Sequence, residues 1–116
     1  MPQESLRMND QPGAHPGQRI LSLEGALVLT TMFEFQRTVR SDDSRSLIID
    51  FSKVNYVDSA GIGALVGAYV TRQHGGRSLS LVGVSDRVRG ALQVTRVEQF
   101  FRFFDSVDAA EQGTAA

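Results

Sequence analysis

The chain has 116 residues, 41% of them hydrophobic and 22% charged, which supports one folded domain with its own core and excludes two ordinary domains or a disordered chain. Twelve basic residues against thirteen acidic ones leave a formal charge of −1, so the charge balance draws the chain neither to nucleic acid nor to anionic lipid. There is no cysteine, which removes disulfides, thiolate metal sites and cysteine nucleophiles and fits a reducing, cytoplasmic setting.

Residues 1–17 are polar and broken by Pro2, Pro12 and Pro16, with no apolar stretch of the kind a secretory signal needs. They read as a flexible N-terminal segment with room for a first edge strand at 5–8 and a turn-rich link that closes a hairpin. The folded domain is expected over 18–112, and 113–116 as a C-terminal tail. A second strand at 19–24 stops at Gly25. Thr30 or Thr31 then caps a helix in which Met32, Phe35 and Val39 recur at helical spacing through Arg40. A polar turn at 41–44 leads to Leu47-Ile48-Ile49-Asp50-Phe51, an apolar run typical of a central strand buried on both faces. Val54 and Val57 flank a loop that reaches Asp58-Ser59. Ile62, Leu65, Val66, Tyr69 and Val70 follow on one helical face, which Gly75-Gly76 ends.

A further strand is expected at 78–82, a short helix capped by Ser85 or Asp86 through about Thr95, and a last edge strand at 100–104. Alternation in that edge strand sends one pair of its four phenylalanines into the core; the other pair, if uncovered, would mark a contact surface or dimer seam. The chain is therefore expected to be a monomer or a weak homodimer. Residues 107–112 form a final helical turn or two. The order β, β, α, β, α, β, α, β, α predicts an α/β domain with a mixed four- to five-stranded sheet and about four helices. The longest apolar stretch, 60–70, ends before Arg72 and Gln73, well short of the ~20 residues that span a bilayer, so no membrane insertion is expected.

The window Leu47 to Gly63, LIIDFSKVNYVDSAGIG, places a serine at the first turn of a helix that leaves a buried strand. Read from the residues alone, Ser59 is an N-cap whose hydroxyl accepts a hydrogen bond from a free amide, worth ~1 kcal/mol. Gly61 and Gly63 leave that turn bare, so another protein could approach it closely. Asp58 is either a carboxylate favoured by the helix dipole or a partner contact beside the serine. Catalytic patterns are missing. Residues 57–61 lack the first glycine of a GxSxG elbow, and His15 and His74 are the only histidines. No metal cluster, Walker motif or GxGxxG loop can be assembled, so no catalytic residue, metal or cofactor is expected. A phospho-acceptor receiver domain is excluded because it needs an acidic pair after its first strand and a lysine after its last, whereas the sole lysine, Lys53, follows the central strand.

Asp50 and the run Asp58-Ser59-Ala60-Gly61-Ile62-Gly63-Ala64-Leu65 resemble the signature of the STAS domain, shared by anti-sigma-factor antagonists and sulfate-transporter tails. Gly75-Gly76, the strand from Leu79 to Val82 with Gly83, and the segment from Val88 to Leu92 are similar to the elements that follow in that family, and the likeness covers roughly 19–110. In its anti-sigma-factor-antagonist type, the resemblance implies a protein-binding switch that is not an enzyme. It would relieve inhibition of a sigma factor by an anti-sigma factor. The implied partners are an anti-sigma factor serine kinase, which phosphorylates the serine matching Ser59, and a serine phosphatase, which reverses it. Asp58, Ser59, Ala60, Gly61, Ile62 and Gly63 would form the contact surface. The family's Gly-Glu-Leu-Asp after the second strand reads Gly25-Ala26-Leu27-Val28 here, so Val28 stands in place of an acidic residue. The alternative the resemblance implies is a cytoplasmic accessory subunit of a membrane transporter for lipids or anions.

Overall fold

The computed structural model describes residues 5–115; residues 1–4, the start of the expected flexible segment, and Ala116 lie outside the described residues. Five strands form one sheet in chain order: β1 (Leu6–Pro12), β2 (Gln18–Leu27), β3 (Ser46–Val57), β4 (Ser78–Val82) and β5 (Arg102–Phe104). Four helices connect or follow them: α1 (Met32–Ser41), α2 (Ser59–His74), α3 (Asp86–Val94) and α4 (Val107–Gly113). The β1–β2 hairpin is antiparallel, and each later pairing is parallel. This is the mixed α/β sheet expected from the element order.

Alternation along the strands sorts the side chains into two layers. Leu21, Leu23, Leu47, Ile49, Phe51, Leu79 and Leu81 pack with Phe35 and Val39 of α1, Ile62 and Leu65 of α2, and Val88 and Leu92 of α3. On the opposite face Ile20, Ile48 and Val82 pack against Ala110 of α4, with Phe104 and Val107 at the margin. Leu47, Ile48 and Ile49 are buried in succession because β3 has helices on both faces, which is why the run lacks a period of two.

Several elements are longer or shorter than the sequence suggested. β3 continues through Val57, so the stretch around Val54 expected as a loop is strand, paired as Gly25 with Val54 and Leu27 with Val57. Irregularities between Ser22 and Glu24 and between Gly25 and Ala26 break the alternation that pattern reading relies on. Gly25 sits at φ +120°, and a Cβ there would lie 2.2 Å from the Ser5 carbonyl oxygen, so only glycine fits the hairpin at this point. β1 runs on to Pro12, whose missing N–H is tolerated at the end of an edge strand, and its Leu6 and Met8 pack against the main core. At the other edge, residues 98–100 form a 3-10 turn and not strand, leaving β5 three residues. Phe101 and Phe103 belong to the three-helix layer, while Phe104 lies under α4. Phe100 leaves the sheet to stack on Tyr69 at 5.4 Å between ring centroids.

At the end of α2 lies a buried charge that pattern reading treated only as the end of an apolar stretch. Arg72 is fully buried. Its Nε donates to the Ser78 carbonyl at 2.8 Å and its Nη2 to the Ser44 carbonyl at 2.6 Å, while Nη1 lies 3.4 Å from the Asp42 carboxylate. Desolvation lowers the guanidinium pKa from its ordinary value; the Asp42 charge opposes that shift and the Arg77 charge adds to it. One side chain thus ties the C-terminus of α2 to the α1–β3 turn and the start of β4. Arg72→Ala is expected to cost about 3–5 kcal/mol, since it strands the carbonyls and the carboxylate that Arg72 serves. Ser80, whose hydroxyl is buried without a hydrogen-bond partner among the described residues, gives the contrast. Ser80→Ala should be neutral or stabilising by up to about 1 kcal/mol. Denaturant midpoints of the two variants, measured side by side, check both expectations.

Candidate functional site at the start of helix α2

Three chain segments meet where β3 passes into α2: the end of β2, the turn into α1, and the β3–α2 junction. Their meeting depends on Asp58. Its Oδ1 accepts a hydrogen bond from the Gly61 N–H at 2.8 Å, capping α2, and its Oδ2 accepts one from the Leu29 N–H at 3.1 Å. Asp58 also donates its own N–H to the Leu27 carbonyl at 3.3 Å. The cap is therefore Asp58, and the expectation that Ser59 caps the helix is corrected: Ser59 is the first helical residue. The physical reason is geometric. The N-cap residue keeps extended backbone so that its side chain can fold back on the first turn, and Asp58, at φ −94° and ψ −177°, has that conformation.

Gly61 is buried against the end of β2, where a Cβ would lie 2.0 Å from the Leu27 carbonyl oxygen and 3.0 Å from Val57. Its absent side chain lets helix and strand touch. Gly63, two residues on, is exposed and its would-be Cβ meets nothing within 4 Å. Of the expected contact residues, Ser59 and Gly63 are exposed, Asp58 and Ala60 half-buried, and Gly61 and Ile62 buried. The first four are open at the surface, and the last two are packed inside the turn.

The β2–α1 turn is closed from within. Thr31 does not cap α1 with its side chain; its hydroxyl donates to the Ala26 carbonyl at 2.8 Å and accepts from the Val28 N–H at 2.9 Å. Val28, standing where the resembled family has an acidic residue, is buried. Asp50, the other residue of the resembled signature, is not brought to the site: it is in mid-β3, where its carboxylate accepts from the Ser52 N–H and hydroxyl. His74 ends α2 about 22 Å of helix away from Ser59, and His15 lies in the β1–β2 link.

Sequence reading missed two residues here. Leu29 is 57% exposed and Phe33 58% exposed, both on or beside the turn that Asp58 holds. Phe33 is out of phase with Phe35 and Val39, the buried stripe of α1, and that phase was the available signal.

Ser59 thus stands exposed at the strand-to-helix turn of a small five-stranded α/β domain. The chain belongs to the STAS domain family, which matches residues 8–110. It is similar to the anti-sigma-B factor antagonist of Staphylococcus aureus, 30% identical over 74 residues that cover 61% of this chain and 68% of that protein. Among solved structures it resembles an anti-sigma factor antagonist from Mycobacterium paratuberculosis, with a TM-score of 0.80 and 20% identity over 94% of this chain and 93% of the other. A sulfate transporter family protein from Wolinella succinogenes shares the fold as well, with a TM-score of 0.72 and 24% identity over 86% and 87% of the two chains.

The division of labour between neighbouring residues is directly testable. Asp58→Ala removes acceptors from two backbone amides and should cost about 1–2 kcal/mol, whereas Ser59→Ala should stay within about 0.5 kcal/mol of the parent. Thermal unfolding of the pair checks this: an equal loss from both variants would return the capping role to Ser59.

Proposed function

We propose that this protein is an anti-sigma factor antagonist whose binding is switched by phosphorylation of Ser59. In the unmodified state it docks through Asp58, Ser59, Ala60 and Gly63, supported by Gly61 and Ile62, onto an anti-sigma factor, which then releases its sigma factor. The anti-sigma factor is also a serine kinase that transfers a phosphoryl group to the Ser59 hydroxyl, and a serine phosphatase removes it. The chain is the substrate of this cycle and catalyses neither step. The setting is cytoplasmic, and the contact surface lies within residues 18–112.

The observation that carries the reading is the position of Ser59. It is exposed at the first residue of α2 while the neighbouring Asp58 makes the cap, so its hydroxyl can be modified without dismantling the turn. The likeness to a relative named as an anti-sigma-B factor antagonist supports the choice of partner. A phosphate adds about −1.5 to −2 charge at neutral pH. Free amides and the helix dipole tolerate that charge locally, so the fold persists. At a closed interface the same charge must be desolvated beside Asp58, which weakens binding by several kcal/mol.

Calorimetric titration of the anti-sigma factor with unmodified and Ser59-phosphorylated protein measures the difference. The expected result is tight binding of the first form and a loss of about 100-fold or more for the second, with both folded. Equal affinities would leave Ser59 without a switching role. Recovery of transporter subunits in place of an anti-sigma factor would move the protein to the accessory-subunit role.

A further inference from the structure

A buried hydroxyl stands behind the turn that meets the start of α2. Thr31 is buried, and its Oγ1 donates to the Ala26 carbonyl at 2.8 Å and accepts from the Val28 N–H at 2.9 Å. These two bonds hold the end of β2 from the inside. On its other side the same stretch meets α2: the Leu27 carbonyl accepts the Asp58 N–H at 3.3 Å, and the Leu29 N–H donates to Asp58 Oδ2 at 3.1 Å. Gly61 packs so closely on that Leu27 carbonyl that a Cβ would lie 2.0 Å from its oxygen.

The two sets of contacts fall on the same amides. The Val28 N–H that Thr31 accepts and the Leu27 carbonyl that faces Asp58 and Gly61 belong to one peptide unit, which is planar, so the two groups turn together. A bond that fixes the N–H therefore aims the carbonyl. The next unit carries the Leu29 N–H, which Asp58 accepts, and the Val28 carbonyl, which takes the N–H groups of Thr31 and Met32 at 3.0 and 2.8 Å. Thr31 thus holds both amides that the start of α2 meets, and Ser59 lies between Asp58 and Gly61, the two residues that meet them.

Resting on the function proposed above, we infer that Thr31 is a positioning residue for phosphorylation of Ser59: its hydroxyl orients the Leu27–Val28 amide and, through it, the first turn of α2. Thr31 is buried, so it acts through that amide and not by contact with the kinase. Phosphoryl transfer needs the acceptor hydroxyl placed in line with the donor, so a loosened first turn lowers turnover more than binding.

The experiment compares the full chain with Thr31→Val, which keeps the shape and removes the hydroxyl, and Thr31→Ser, which keeps the hydroxyl. Amide hydrogen exchange followed by NMR reads the Leu29 and Gly61 N–H groups against that of Ile48 in the centre of β3, which reports opening of the whole domain. Steady-state phosphorylation of Ser59 by the purified anti-sigma factor serine kinase reads kcat and KM. Thr31→Val is expected to speed exchange at Leu29 and Gly61 about tenfold more than at Ile48, and to lower kcat about tenfold with KM changed less than about threefold. Thr31→Ser is expected to stay within about threefold of the parent in both. Exchange that rises equally at all three amides, or an unchanged kcat in Thr31→Val, would overturn the positioning role and leave Thr31 as a stabilising residue. If Thr31→Val does not fold, Thr31→Ser decides: parent-like exchange and kcat keep the hydroxyl as the orienting group, and a loss of about tenfold in kcat overturns it. A parent that the kinase does not phosphorylate at Ser59 would overturn the proposed switch and the kinetic role with it, while exchange at Leu29 and Gly61 separately shows whether Thr31 orients the turn.

Discussion

The Asp58 carboxylate is the contact on which the functional end of this protein depends. One oxygen holds the first turn of α2 and the other the turn that leads into α1, so a single side chain ties these two segments together. Gly61 makes this possible by letting α2 close on the Leu27 carbonyl. A helix whose first turn is fixed in this way presents its first residue rigidly. In the proposed switch that would matter, because a partner reading one hydroxyl must find it in a reproducible place.

The opposite end of α2 is held by different means. There Arg72, a buried guanidinium, gathers backbone carbonyls from the α1–β3 turn and the start of β4. Helix C-termini leave carbonyls without partners, and a cation near that end also matches the helix dipole. The chain therefore anchors α2 with an anion at its start and a cation at its end, each hydrogen-bonded to backbone from another element. Stability of the helix and exposure of Ser59 are supplied by separate residues.

Much of the architecture was legible because its periods are ordinary. The run Leu47-Ile48-Ile49 announced a strand covered on both faces, and the spacing of Ile62 and Leu65 announced α2. The parts that were not legible lie where a local rule is overridden by contacts distant in sequence. β3 keeps pairing through Lys53, Val54 and Tyr56 because register shifts let it carry extra residues, Asn55 among them, opposite β2, which no alternation pattern in either strand reveals. Phe100 leaves the sheet because Tyr69, from α2, offers a stacking partner. Arg72 reads as a polar terminator until the Ser44 and Ser78 carbonyls are seen around it. At the site, the choice between Asp58 and Ser59 as cap turned on backbone angles, since both residue types cap well.

That distinction bears on how a switch can be built. A serine serving as the cap would lose its hydrogen bond to the helix when modified, and the charge gained would be tied to a structural change in the turn. Ser59 at the first helical position carries no such burden, because the Gly61 N–H is already satisfied by Asp58. In the proposed switch, a phosphate there would meet a helix N-terminus, which favours anions. That environment would keep the folded state intact, whereas a partner covering the turn would make the same charge costly. In the switch proposed above, separation of cap and acceptor would allow one modification to act on binding while leaving the fold unchanged.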